Sequence, residues 1–82
     1  MAKKSRFIKE FGARVRELRE GQGLSQEKLA DMAHLHRTAI THIERATRSS
    51  TLETIEKLAR ALGVQPADLM PDLDMSRRRG KG

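Results

Sequence analysis

The chain has no cysteine, no tryptophan, no tyrosine and only two phenylalanines in 82 residues. Without thiols there is neither a disulfide framework nor a thiolate metal site, so a core this small must be held by helix packing, and a reducing, cytoplasmic setting is expected. Aromatics at 2% are too few to build the stacking platforms that read RNA bases. Nowhere do apolar residues run for the roughly 18 positions needed to cross a bilayer. The opening MAKKSRFIKEFG lacks the apolar stretch of a secretory signal, so no membrane partner is expected. No alternating strand pattern and no internal repeat occurs. Also missing are a glycine-rich phosphate loop, a recognisable nucleophile motif and an H-E-x-x-H pattern. His34, His36 and His42 do not share one helical face, so neither a metal, a cofactor nor catalysis is expected.

What is present is positive charge. Lys and Arg number 17 against 11 Asp and Glu, for a net +6 and a pI near 10.5. That balance favours an anionic partner, and nucleic acid is the commonest. The excess is unevenly placed: residues 6–70 carry a net +2 and the two ends supply the other +4. Specific recognition must therefore come from where the charges lie, because bulk charge attaches weakly to many polyanions.

Periodicity organises the rest as one small all-α domain of five helices over residues 6–70, with a basic N-terminal arm (1–5) and a disordered basic tail (71–82). Ile8, Phe11, Val15 and Leu18 mark a first amphipathic helix over about residues 5–20, ended by GQG at 21–23. Ser25 caps a second helix reaching about Ala33, with acidic Glu27 in its first turn. A third runs from His36 to about Arg45, with Ala39, Ile40 and Ile43 on one face. Ser50 or Thr51 caps the fourth, and Ser50 with Glu53 has capping-box spacing. Its buried stripe is expected to be Leu52, Ile55, Leu58, Ala59 and Leu62, closed by Gly63. Pro66 opens a short fifth helix through Met70.

The second and third helices have the form of a helix-turn-helix. Steep crossing after a tight turn demands a small residue at the contact, which Ala30 supplies, while Ile40 and Ile43 fill the wedge behind it. The turn needs a positive φ, usually from glycine; His34 stands there, one of the non-glycine residues that tolerate it. The run GLSQEKLADMAHLHRTAITHIER followed by TLETIEKLARALGV resembles the lambda-repressor-like, or XRE, DNA-binding domain over roughly residues 8–70. Within that family, the LHRT…IER…R…TLE run is most similar to the controller proteins of restriction-modification systems, small dimeric regulators of their own operon. It departs from the family at His34 and Ala46, where glycine is usual, and at Ser50, where proline is common.

The resemblance implies a compact five-helix fold whose third helix enters the major groove of double-stranded DNA, with His36, Arg37, Thr38, Thr41 and His42 as base readers. Arg37 leads them, since a guanidinium bonds guanine O6 and N7 together. Ser25 and Gln26, at a helix N-terminus, and Arg45, Thr47, Arg48 and Ser49, in the following loop, are expected to hold phosphates. Glu44 is expected to pair with Arg14 or Arg19. One helix-turn-helix reads few base pairs, so a homodimer on a pseudo-palindromic operator is expected, with Leu69, Met70 and Leu73 at the dimer contact together with exposed parts of the fourth helix, Leu69 being equally able to complete the core. RNA polymerase is a further candidate partner. The competing reading is an antitoxin or protein-interaction module that also binds DNA, with the basic SRRRGKG tail as a contact.

Overall fold

Ser5 caps the first helix: its Oγ accepts the Phe7 N–H at 3.0 Å and the Ile8 N–H at 3.4 Å. The computed structural model describes residues 5–73. Those residues form five helices, α1 (Arg6–Gly21), α2 (Gln26–Ala33), α3 (Arg37–Arg45), α4 (Leu52–Leu62) and α5 (Pro66–Leu69), with no strand among them. The arm at 1–4 and the tail from 74 onward lie outside the described residues.

Caps and turns fall close to where residue chemistry sets them. Ser25 Oγ accepts the Lys28 N–H at 3.0 Å, and α2 ends on His34 at φ 59°, ψ 43°. The Leu35 N–H then reaches back to the Ala30 carbonyl at 2.8 Å, which closes the turn with a left-handed residue in the place glycine usually fills. Ala46, also at φ 59°, repeats the device after α3. His36 is the N-cap of α3 rather than its first residue, and its side chain makes no capping bond. Likewise, α5 stops at Leu69, with Met70 outside it.

Two expectations about α4 fail. Thr51, not Ser50, caps it, with Oγ1 accepting the Thr54 N–H at 3.1 Å, so the Ser50–Glu53 box does not form. Ser50 Oγ is instead buried without a partner. Leu52 is 84% exposed: burial tapers along α4 from sealed Leu58 through half-buried Ile55, and the first residue projects past the edge of the core.

The core consists of Phe11, Val15, Leu29, Ala30, Ala33, Ile40, Ile43, Leu58, Ala59, Leu62 and Leu69. Leu69 has no exposed surface, because the single turn opened by Pro66 folds its side chain back onto the bundle. Of its two readings, dimer contact and core, the core one holds: a sealed side chain cannot reach a second copy. Gly12 sets the spacing of α1 on α3, since a methyl group on it would overlap the Ile43 carbonyl oxygen. Helix backbone thus lies directly on helix backbone there.

Candidate nucleic-acid interface

Ala30 and Ala33 are buried where α2 meets α3, and Ile40 and Ile43 lock the back of α3 into the core. Periodicity then turns the opposite side of α3 outward. His36, Arg37 and Thr38 are exposed, while Thr41 and His42 are half-buried. Ser25 is exposed and Gln26 half-buried at the start of α2; Arg45, Thr47, Arg48 and Ser49 are exposed at the end of α3 and in the loop beyond it. Ser25, Gln26 and Arg37 line one shallow recess, which brings an expected phosphate holder beside an expected base reader. Glu27 lines it too and limits how much negative charge it can take.

Cations are distributed in two ways. On α1 and α4 they are matched: Arg6 with Glu10, Arg14 with Glu17, Arg16 with Glu20, Lys57 with Glu53 and Arg60 with Glu56. These exposed pairs contribute little stability each, but they cancel charge on that side. Among the described residues, the cations with no ion pair are Lys9, Lys28, Arg37, Arg45 and Arg48, and all but Lys9 belong to α2, α3 or the loop after it. Glu27 and Asp31, also without an ion pair, offset Lys28 on α2, so the positive excess lies on α3 and the loop after it, at Arg37, Arg45 and Arg48.

Behind that face lies an ion pair. The Glu44 side chain is 5% exposed and accepts from Arg19 Nε at 2.7 Å and Nη2 at 3.1 Å, while Arg19 Nη1 donates to the Leu24 carbonyl at 2.6 Å. The Glu44 hydrogen bond holds the Arg19 pKa above its ordinary value; burial opposes this, and the charges of Glu44 and Glu20 add to it. Of the two expected partners of Glu44, Arg19 is the one found; Arg14 donates to the Asp68 carbonyl at 2.9 Å instead. The pair continues toward the surface. Gln26 Nε2 donates to Glu44 Oε1 at 3.1 Å, and Gln26 Oε1 accepts from Thr41 Oγ1 at 3.3 Å. Gln26 is thus tied into the protein rather than projecting freely.

His42 Nδ1 lies 2.7 Å from Thr47 Oγ1, so a base-reader candidate and a phosphate candidate hold each other. Neither this link, nor the Gln26–Thr41 bond, nor the close approach at Gly12 was found from sequence. Gly12 alone carried a signal, a glycine beside Phe11 on the apolar face of a helix. Elsewhere, no three His, Cys, Asp or Glu side chains among the described residues group as metal ligands, and no helix there is long and apolar enough to cross a membrane.

Known proteins resemble the chain in sequence and fold. The helix-turn-helix family HTH_3 matches residues 15–69. The chain is 54% identical over 61 residues to control protein C.BamHI of Bacillus amyloliquefaciens, covering 73% of this chain and 75% of that one. It is 40% identical over 74 residues to control protein C.SmaI of Serratia marcescens, covering 89% and 88%. The crystal structure of the restriction-modification controller protein C.AhdI from Aeromonas hydrophila superposes with a TM-score of 0.75 at 44% identity, covering 77% of this chain and 96% of that one.

Proposed function

From its membership of the helix-turn-helix family HTH_3, we propose that the chain is a sequence-specific DNA-binding transcriptional regulator acting in the cytoplasm, the controller of a restriction-modification operon. The observation that carries this reading is the concentration of unpaired cations on α2, α3 and their following loop, on a molecule whose other arginines are largely neutralised by neighbours. Its controller relatives agree in size and fold.

In the bound state α3 lies in the major groove. Arg37 makes a bidentate contact to guanine, Thr38 and His36 reach neighbouring base edges, and Thr41 and His42 read further along the helix. Ser25 and the free N–H groups at the start of α2 hold one phosphate; Arg45, Arg48, Thr47 and Ser49 grip the backbone beyond α3. Gln26 contributes through the one amide hydrogen not used by Glu44.

The regulator acts as a homodimer on two half-sites about 34 Å apart, one turn of duplex. Exposed Leu52 and Leu73, with half-buried Met70, support an apolar contact between copies. RNA polymerase is the partner such a dimer meets at its promoter. Selection of bound sequences from a random DNA pool tests the reading: a symmetric motif with half-sites one turn apart is expected, and recovery of unselected sequence at moderate salt would overturn it.

A further inference from the structure

Resting on the regulator reading, we infer that Thr41 presents its hydroxyl to the groove as a hydrogen-bond acceptor alone, so that it selects a base bearing an exocyclic amine, adenine or cytosine, and contacts neither a keto oxygen nor a phosphate. The chain of contacts that orients Thr41 starts at the ion pair. Glu44, gripped by two N–H groups of Arg19, offers acceptors only, so the side chain facing it must turn an N–H inward. Gln26 does so, with Nε2 3.1 Å from Glu44 Oε1, and its amide orientation is thereby fixed with Oε1 toward Thr41.

Thr41 has a single hydroxyl proton, and the protein provides two acceptors for it: Gln26 Oε1 at 3.3 Å and the Arg37 carbonyl at 3.2 Å. Whichever one takes the proton, the hydroxyl points it inward and leaves lone pairs for solvent or a bound duplex. In the major groove the complementary donors are adenine N6 and cytosine N4, whereas guanine N7 and O6, thymine O4 and phosphate oxygens are all acceptors. To contact any acceptor, Thr41 would have to withdraw its proton from both protein partners. Arg19, Glu44 and Gln26 are positioning residues in this account, and Thr41 is the group that touches the base.

The test uses the full chain and the DNA sequence it selects. At each position of the half-site the exocyclic amine is deleted, with purine replacing adenine or 2-pyrimidinone replacing cytosine, and affinity is measured for the wild type, Thr41→Val and Thr41→Ser. At one position per half-site, amine deletion should weaken the wild type and Thr41→Ser by roughly three- to tenfold more than it weakens Thr41→Val. Retention by serine, which keeps the hydroxyl and loses the methyl, separates hydroxyl readout from packing. The inference is overturned if Thr41→Val loses affinity equally on all sequences, or if its coupling falls on a guanine or thymine oxygen. It is also overturned if Thr41→Val matches the wild type throughout. A wild type that selects no sequence would overturn the regulator reading and this inference with it; specific binding without amine coupling would overturn the inference alone.

Discussion

The two sides of the molecule treat arginine differently. On α1 and α4 each exposed arginine sits three or four residues from a carboxylate of its own helix, and the pair lies in water. On α2, α3 and the loop after them, Arg37, Arg45 and Arg48 have no such neighbour, while the one carboxylate on α3, Glu44, is drawn inward by Arg19. A carboxylate within reach of the outer face would repel phosphate; placed 5% exposed against Arg19, it braces that face instead. The difference teaches that sign and spacing along a helix decide which surface is left attractive to a polyanion, even when the folded body is only mildly basic.

The contrast breaks most visibly at the buried pair. Glu44→Ala leaves Arg19 with Glu20, at 3.6 Å, as its remaining counter-charge and should destabilise the fold by about 3 kcal/mol in urea unfolding, the low end for removal of one partner of a buried pair. Glu56→Ala, which removes an exposed partner of Arg60, should cost about 0.3–0.5 kcal/mol or less in the same measurement. Comparable losses from the two would mean that the Arg19–Glu44 pair is as hydrated as the surface ones.

Next in size is the contact that holds α3 against α1. Gly12→Ala should destabilise by about 1–3 kcal/mol, because the added methyl overlaps backbone rather than a side chain that can swing aside. Gly21→Ala, whose new methyl meets nothing, provides the control and should be close to neutral. If both variants unfold at the same denaturant concentration, α1 and α3 are not in backbone contact.

Binding measurements sharpen the comparison on the other face. Arg37→Ala should relax preference at one base pair per half-site, at a discrimination of about 1–3 kcal/mol. Arg48→Ala should weaken binding to all sequences alike and lower the salt slope by about 1. An exchange of these two signatures would reverse the roles of helix and loop. A modest gain is expected at the turn: His34→Gly relieves a left-handed non-glycine residue and should stabilise by about 0.5–1 kcal/mol. Ala46→Gly should gain less, since Ala46 is buried and its methyl packs in the core.

Much of this was legible from local chemistry. Ser25 with Glu27 defined the start of α2, Ala30 and the Ile40–Ile43 pair defined the crossing, and His34 stood where a positive φ was required; each depends on neighbours within a few residues. What escaped depends on distant ones. The apolar period of α4 is the same whether or not the core extends under its first turn, so Leu52 looked buried and is 84% exposed. Leu69 fits a dimer contact or the core equally well from sequence, because a four-residue helix has no period to reveal its inner side. Ser50 and Thr51 are both competent caps, and the path of the chain chose between them. The place of Gln26 at a helix start points to phosphate; the pull of Glu44, eighteen residues on, is a fact of three dimensions.

The absence of a side-chain layer at Gly12 has a mechanical consequence for any complex. With α3 held twice at its C-terminal end, by the Ile43 backbone against Gly12 and by Glu44 bonded to Arg19, and with Ile40 sealed in the core a turn earlier, the rod that enters the groove has little freedom to swivel or slide within its own domain. Adjustment on docking then falls to the duplex, and bases that no residue touches will enter the choice of operator through the ease with which they bend.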